Sequence, residues 1–287
     1  MRVPFLVLTP VCVFLGVAAA LHARVPIDVW NLVLALTGAV AAHVSVNLLN
    51  EYADCRSGLD GRTQRTAFSG GSGALTADPA AAPTVLGAGI AALVITVAAG
   101  LWLIDRSGPE IVPIGVAGIV IIATYSTWIS RHPFVCLVAP GLGVGSLMVV
   151  GTYRVLTGEV TLLPVLVSLV PLFLVSNLLL LNQFPDREAD SSVGRRHFPI
   201  AYGLRASAVV YGIFVAAAAT VIVGGLVRAQ LPPLCSTALI PLGAGVAACF
   251  GAVKYAEDRE NLLPYLVMNA IAAVLVPLVL AVSLAVA

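Results

Sequence analysis

Two polar clusters interrupt a chain that is otherwise almost entirely apolar, and both carry carboxylates at helical spacing. The first runs from Asn47 through Asn50, Glu51, Tyr52, Asp54, Arg56 and Gly58 to Asp60. The second runs from Asn182 and Gln183 through Pro185, Asp186, Arg187 and Glu188 to Asp190. Positions three, four and seven apart share one face of a helix, so His43, Asn47, Asn50 and Asp54 are expected to form a single stripe. Asn182, Asp186 and Asp190 repeat the pattern at intervals of four, with Pro185 expected to kink or end the helix there. Asp60 follows Gly58, where the first helix is expected to have given way to a loop. Carboxylate and amide oxygens are hard donors that favour Mg2+ over zinc or copper. Mg2+ is usually held by a few carboxylates together with substrate phosphates, so the expected ligand is a phosphorylated substrate.

The flanking loops extend that reading. Arg62 and Arg65 lead into Phe68-Ser69-Gly70-Gly71-Ser72-Gly73, whose hydroxyls and backbone N–H groups suit phosphate oxygens. Arg195 and Arg196 follow the second cluster in the same manner, and the arginine fork donates two parallel hydrogen bonds to an oxyanion. Cations beside metal-binding anions, at the edge of apolar segments, call for a diphosphate whose other end is apolar. An isoprenoid diphosphate meets both requirements.

The elements that must position these residues are membrane helices. Hydrophobic residues make up 60% of the chain and charged residues 10%, against about a quarter charged in soluble domains. The mean hydropathy is +1.02. Apolar runs of about 20 residues, enough to cross about 30 Å of hydrocarbon, fall at 4–21, 30–50, 82–104, 111–129, 133–152, 161–181, 206–227, 233–253 and 262–286. The expected fold is an all-α integral membrane bundle of about nine spanning helices, as one domain over 1–287. A β-barrel is excluded because the runs lack alternation of apolar and polar residues. With the amino terminus cytoplasmic, only Arg24, Arg106, Arg154 and Arg228 of the 15 Lys and Arg residues fall on the far side. That bias follows the positive-inside rule and puts both clusters on the cytoplasmic face of the cell's inner (plasma) membrane. Arg131 and His132 read as part of the same topology signal, and Glu257, Asp258 and Glu260 as interface anchors. The apolar stretch after Arg2 is longer than the 7–15 residues of a signal sequence, so it reads as a span. Cys12, Cys55, Cys136, Cys235 and Cys249 are scattered singly and suggest neither a disulfide framework nor a zinc site. The two clusters, each at the end of an even-numbered span, hint at an internal duplication.

The chain resembles the UbiA superfamily of intramembrane aromatic prenyltransferases. The residues from Asn47 to Asp60 are similar to the menaquinone-branch motif N-x-x-N-D-Y-x-D-x-x-x-G-x-D, with Glu51 where the family usually has aspartate. Asp186, Asp190, Gly194, Arg195 and Arg196 match the second motif, D-x-x-x-D followed by G-[KR]-R, and Gly151-Thr152-Tyr153 and Thr157-Gly158 add to the similarity. The stretch from Arg65 to Gly73 departs from the shorter Arg-Pro-x-x-Ser-Gly element of many relatives.

The resemblance implies Mg2+-dependent electrophilic alkylation of an aromatic acceptor by an isoprenoid diphosphate. Asn50, Asp54, Asp60, Asp186 and Asp190 become the catalytic candidates, with Glu51 joining them as a candidate metal ligand. Asn47, Arg56, Arg62 and Arg65, with Ser69, Asn182, Arg195 and Arg196, are the candidate diphosphate contacts. His43, Tyr125, Tyr153 and Tyr202 are candidates for lining the acceptor or prenyl site, where aromatic faces shield an allylic cation. The first expectation for the acceptor is 1,4-dihydroxy-2-naphthoate in menaquinone biosynthesis; another quinone precursor, a chlorin or a secondary metabolite fits the same motifs. No protein partner and no nucleic acid is implied. The competing reading is a cation-coupled transporter. Transporters usually place such carboxylates near the bilayer midplane on broken helices, whereas these stand at helix ends beside arginines.

Overall fold

The computed structural model describes residues 3–63 and 72–287, with the backbone alone at Val3 and Asp60. A 3-10 turn, Val3–Val7, leads into α1 (Leu8–His22), and Asp28 then starts α2 (Val29–Ser57). The Asp28 carboxylate accepts the backbone N–H groups of Trp30 at 2.9 Å and Asn31 at 3.1 Å, satisfying donors that the first turn leaves open. Gly58 closes α2 with φ 72°, a left-handed conformation that costs glycine nothing. The short α3 (Ala74–Ala77) precedes α4 (Ala82–Ser107) and α5 (Val112–Thr124). Then come α6 (Pro133–Pro140), a π-helical stretch Gly141–Leu147, and α7 (Met148–Thr157), which together make one span.

The second half contains α8 (Leu162–Asn182), the short α9 (Arg187–Ser192), α10 (Phe198–Val227), α11 (Leu239–Lys254) and α12 (Arg259–Ala285). Asp258 is more than an interface anchor: its carboxylate caps α12 by accepting the Asn261 N–H at 3.1 Å. Among the described residues, eight helices are long and apolar enough to cross a membrane, and Pro109–Thr124 is a shorter apolar ninth. The protein is a multi-pass helical membrane protein, and its five cysteines are all free.

Several element ends differ from the sequence expectation. α2 runs on to Ser57 although its apolar stretch fades near residue 50, because its polar stripe faces the interior of the bundle. The expected span at 111–129 is helical only to Thr124 and turns before the 3-10 segment Ile129–Arg131. α10 begins at Phe198, eight residues before the apolar run at 206–227, and breaks at Gly203, whose φ of 81° is not helical.

α1 is the innermost helix, packed on α12 and α7, while α2 lies along α4 and α8 lies between α10 and the π-helical stretch. That last contact is backbone to backbone. A Cβ on Gly141 would fall 1.9 Å from the Leu172 carbonyl oxygen, and one on Gly145 would fall 2.8 Å from the Leu172 nitrogen. A buried polar lock joins α8, α10 and α12: Tyr211 Oη donates to Asn269 Oδ1 at 2.9 Å, while Asn269 and Asn177 donate to the carbonyls of Asn177 and Tyr211 at 3.1 and 2.9 Å. The end of the bundle holding the start of α2 is tied by Arg106, which meets Asp28 at 3.1 Å and Asn31 at 2.7 Å, and by Arg154 with Glu110 at 2.6 Å. Both acidic clusters lie at the other end.

Candidate active site

The stripe on α2 and the residues after α8 enclose one cavity of about 250 Å³. His43, Asn47, Asn50, Glu51 and Asp54 line it from α2, and Asn182, Gln183, Asp186, Asp190, Arg195 and His197 line it from the opposite side. Its depth is apolar, with Leu8, Val46, Ile122, Met148, Val175 and Leu178 among its walls. α8 stops at Asn182, the chain turns through Pro185, and α9 restarts it, so Asp190 sits one helical turn beyond Asp186 with its N–H on the Asp186 carbonyl at 2.9 Å. Arg259 of α12 fixes that turn by donating to the Pro185 carbonyl.

Arg195 joins the two clusters. Its guanidinium pairs with Asp54 and, through Nη1 at 2.8 Å, with Asp190 Oδ1; Nη2 also lies 3.4 Å from Asn50 Oδ1. Asn50 Nδ2 donates to the other Asp54 oxygen at 3.0 Å, and Ser126 donates to Asn50 Oδ1 at 3.1 Å. His197, only 2% exposed, meets Asp190 Oδ2 through Nε2 at 2.9 Å. Burial by itself pushes the Asp190 carboxyl up, but the His197 hydrogen bond and the Arg195 charge outweigh it and hold it below the usual carboxylate range. Burial works against the Arg195 charge, yet Asp54 and Asp190 more than offset that and raise its pKa.

On α2, His43 Nδ1 is 2.7 Å from the Thr9 hydroxyl, which fixes its ring, and Asn47 Nδ2 donates to the His43 carbonyl at 2.8 Å. The Ser72 hydroxyl donates to Glu51, bringing the chain beyond the first loop back to the mouth.

The other candidates are placed differently. Tyr125 lines the cavity. Tyr153 does not: it is buried against Val13, Val17, Ala19 and Ala20 of α1, with its hydroxyl 3.1 Å from Thr161 Oγ1. Its position on the far half of α7 puts an α1 packing surface, and no cavity, in front of it. Tyr202 is 51% exposed and packs its ring, tilted, against Phe134 and Phe198 at centroid distances of 5.4 and 4.8 Å, away from the cavity. Arg56 and Arg196 are exposed and away from the cavity wall, Arg196 using its backbone N–H on the Ser130 carbonyl at 2.9 Å. Arg62 bonds Ser192 at 3.0 Å, linking the loop after α2 to α9 outside the cavity. Arg65 and Ser69 lie outside the described residues, as does the side chain of Asp60.

His197 and Ser126 escaped the sequence reading, and Gln183, named in the second cluster, was given no role there. His197 directly follows the Arg195-Arg196 pair, and that adjacency was the available signal; the reach of Ser126 to Asn50 depends on the turn after α5 and has none.

The fold and the site together define an intramembrane helical protein with an acidic, arginine-bridged mouth above an apolar cavity. The sequence model of the UbiA prenyltransferase family matches residues 9–271; the chain belongs to that family and is a membrane prenyltransferase. It is 26% identical over 246 residues to 1,4-dihydroxy-2-naphthoate octaprenyltransferase of Bacillus subtilis (strain 168), covering 84% of this chain and 77% of that one. The apo structure of a UbiA homolog from Aeropyrum pernix K1 superimposes with a TM-score of 0.70 at 18% identity, over 95% of this chain and 96% of the other. A UbiA homolog from Archaeoglobus fulgidus bound to DMAPP and Mg2+ gives a TM-score of 0.58 at 16% identity, over 96% and 98% of the two chains.

Proposed function

We propose that the enzyme transfers a polyprenyl group from an isoprenoid diphosphate to 1,4-dihydroxy-2-naphthoate, with Mg2+, at the cytoplasmic face of the plasma membrane. The observation that carries this reading is the meeting of Asp54 on α2 with Asp190 on α9 at the mouth of an apolar cavity. The Bacillus subtilis relative supports the naphthoate acceptor. The distribution of Lys and Arg supports the cytoplasmic facing.

The residues suit a divalent cation. Asp54 and Asp190 already share one positive group, the Arg195 guanidinium, and Asn182 Oδ1 is a buried oxygen with no hydrogen-bond partner among the described residues. Among the described residues no three His, Cys, Asp or Glu side chains gather closely enough to hold a metal, and Arg195 stands between Asp54 and Asp190. Asn50, Asp54, Asp186 and Asp190 would hold Mg2+, which supplies charge to neutralise the diphosphate leaving group. Arg195 orients that diphosphate through two parallel N–H donors. The apolar walls keep water from the allylic carbon as its bond to oxygen breaks and the electron pair leaves with the diphosphate. Tyr125 presents an aromatic ring to the positive charge. The electron-rich carbon of the acceptor then forms the new C–C bond, and its ring loses a proton.

A second cavity of about 350 Å³ adjoins the first, sharing Ala42, Gly118, Ile122, Gly143 and Met148 with it, and is lined almost entirely by apolar residues, mostly of α2, α4, α5 and α7. It extends the space for a long prenyl tail. The test is transfer of radiolabelled geranylgeranyl diphosphate to a panel of aromatic acids by the purified protein, with and without EDTA. EDTA-sensitive labelling of the naphthoate supports the full reading. Labelling of another ring keeps the enzyme and replaces the acceptor, and labelling that survives EDTA removes the metal.

A further inference from the structure

Arg195 occupies the place where its two acidic partners would otherwise meet a metal. It pairs with Asp54 on α2 and with Asp190 on α9, and its side chain is 19% exposed. The remaining oxygens of both carboxylates are engaged as well, that of Asp54 by Asn50 Nδ2 at 3.0 Å and that of Asp190 by His197 at 2.9 Å. We propose that Arg195 is a built-in counter-ion that blocks the site to free divalent cations and yields it only to a cation arriving with a diphosphate.

The reasoning rests on the metal and diphosphate reading above. A divalent ion entering alone must take two carboxylates from a guanidinium that already neutralises them, and it leaves that guanidinium beside a dication in a partly buried site. Like charges at short range in such surroundings repel strongly. A diphosphate entering with the ion removes the conflict, because its oxygens give the arginine fork a new planar partner. The exchange needs only the side chain to swing. The Arg195 backbone is anchored by its N–H on the Asp190 carbonyl at 3.1 Å, so the fork pivots within reach of the same mouth. Metal and diphosphate then bind with positive coupling, and the coupling is reciprocal.

The experiment measures Mn2+ binding to the purified full chain in detergent by electron paramagnetic resonance, with and without inorganic pyrophosphate. It compares wild type with Arg195→Gln and Arg195→Lys, and circular dichroism checks that each variant is folded. Wild type is expected to bind Mn2+ weakly alone and about tenfold or more tighter with pyrophosphate, within the usual range of coupling between sites. Arg195→Gln is expected to bind Mn2+ alone about tenfold tighter than wild type and to lose most of the pyrophosphate enhancement. Arg195→Lys keeps the charge without the fork and falls between the two; it carries the test should the glutamine variant not fold. Equal or weaker Mn2+ binding by the variants, alongside an intact pyrophosphate enhancement in wild type, would overturn the counter-ion role and leave the proposed function standing. No Mn2+ binding by wild type even with pyrophosphate removes both.

Discussion

Asp190 receives a hydrogen bond on each of its carboxylate oxygens, from Arg195 on one side and His197 on the other. The two partners differ in what they can give up. Arg195 also serves Asp54, whereas His197 is buried at the start of α10 and its ring bonds Asp190 alone among the described residues, so it aims the carboxylate. Losing such a support typically weakens metal binding or activity by about 10–100-fold. His197→Ala is expected to show that loss in the Mg2+ concentration giving half-maximal rate, while His197→Gln, which keeps an N–H near the Nε2 position, recovers most of it. Equal losses in both variants would reduce His197 to packing. For Asp54→Ala or Asp186→Ala, turnover is expected to fall by about 10²–10³-fold or more, the scale of losing a charge-stabilising group, with membrane insertion intact. Retained EDTA-sensitive activity in both variants would remove them from the site. These aspartates were legible because carboxylates are rare next to apolar runs and stood at helical spacing. Tyr153 and Tyr202 misled, because an aromatic residue on a membrane helix packs, caps an interface or lines a cavity with the same sequence signature, and only the neighbouring helix decides which.

At the scale of elements, hydropathy marks where lipid-compatible stretches lie and leaves the helix ends open. That is why all nine segments were legible while α2 ran on past its apolar stretch and α10 began before its own. The π-helical stretch Gly141–Leu147 had no such signal, since it is set by contact with α8. Gly141→Ala therefore makes a direct test of that contact. A methyl group 1.9 Å from the Leu172 carbonyl oxygen meets backbone, which cannot step aside as a side chain would. Overpacking of this kind costs about 1–3 kcal/mol or more, to be read as a lowered unfolding temperature in detergent. Gly118→Ala, with nothing within 4 Å of the added atom, is the matched control and is expected to show no such drop. Tyr211→Phe removes the hydroxyl that links α10 to Asn269 of α12. Interhelical hydrogen bonds in membranes average about 0.6 kcal/mol, so a shift smaller than that of Gly141→Ala is expected from the same measurement.

At the scale of the whole molecule, the proposed function assigns chemistry to the polar end of the first cavity and the prenyl tail to the apolar cavities beside it. The carboxylates and Arg195 line the first cavity, and a second, apolar cavity among α2, α4, α5 and α7 shares Ala42, Gly118, Ile122, Gly143 and Met148 with it. On that reading a short substrate is held by the first cavity alone, and a longer one extends past the shared wall into the second. Gly118 on α5 is the position where this division can be tested without disturbing the mouth. Its added Cβ meets nothing within 4 Å, so a larger side chain enters the open space where the two cavities adjoin, and leucine favours the helix over glycine by nearly 1 kcal/mol. Gly118→Leu is expected to keep kcat/KM for geranyl diphosphate within about twofold and to lose about tenfold or more for geranylgeranyl diphosphate, a discrimination of about 1.4 kcal/mol or more by steric exclusion. Mn2+ binding with pyrophosphate is expected to stay at the wild-type value, since no group at the mouth has changed. Unchanged kcat/KM for both chain lengths would mean that the tail leaves the first cavity by another route, whereas a parallel loss for both would mean that the added side chain fills the first cavity, which Gly118 also lines.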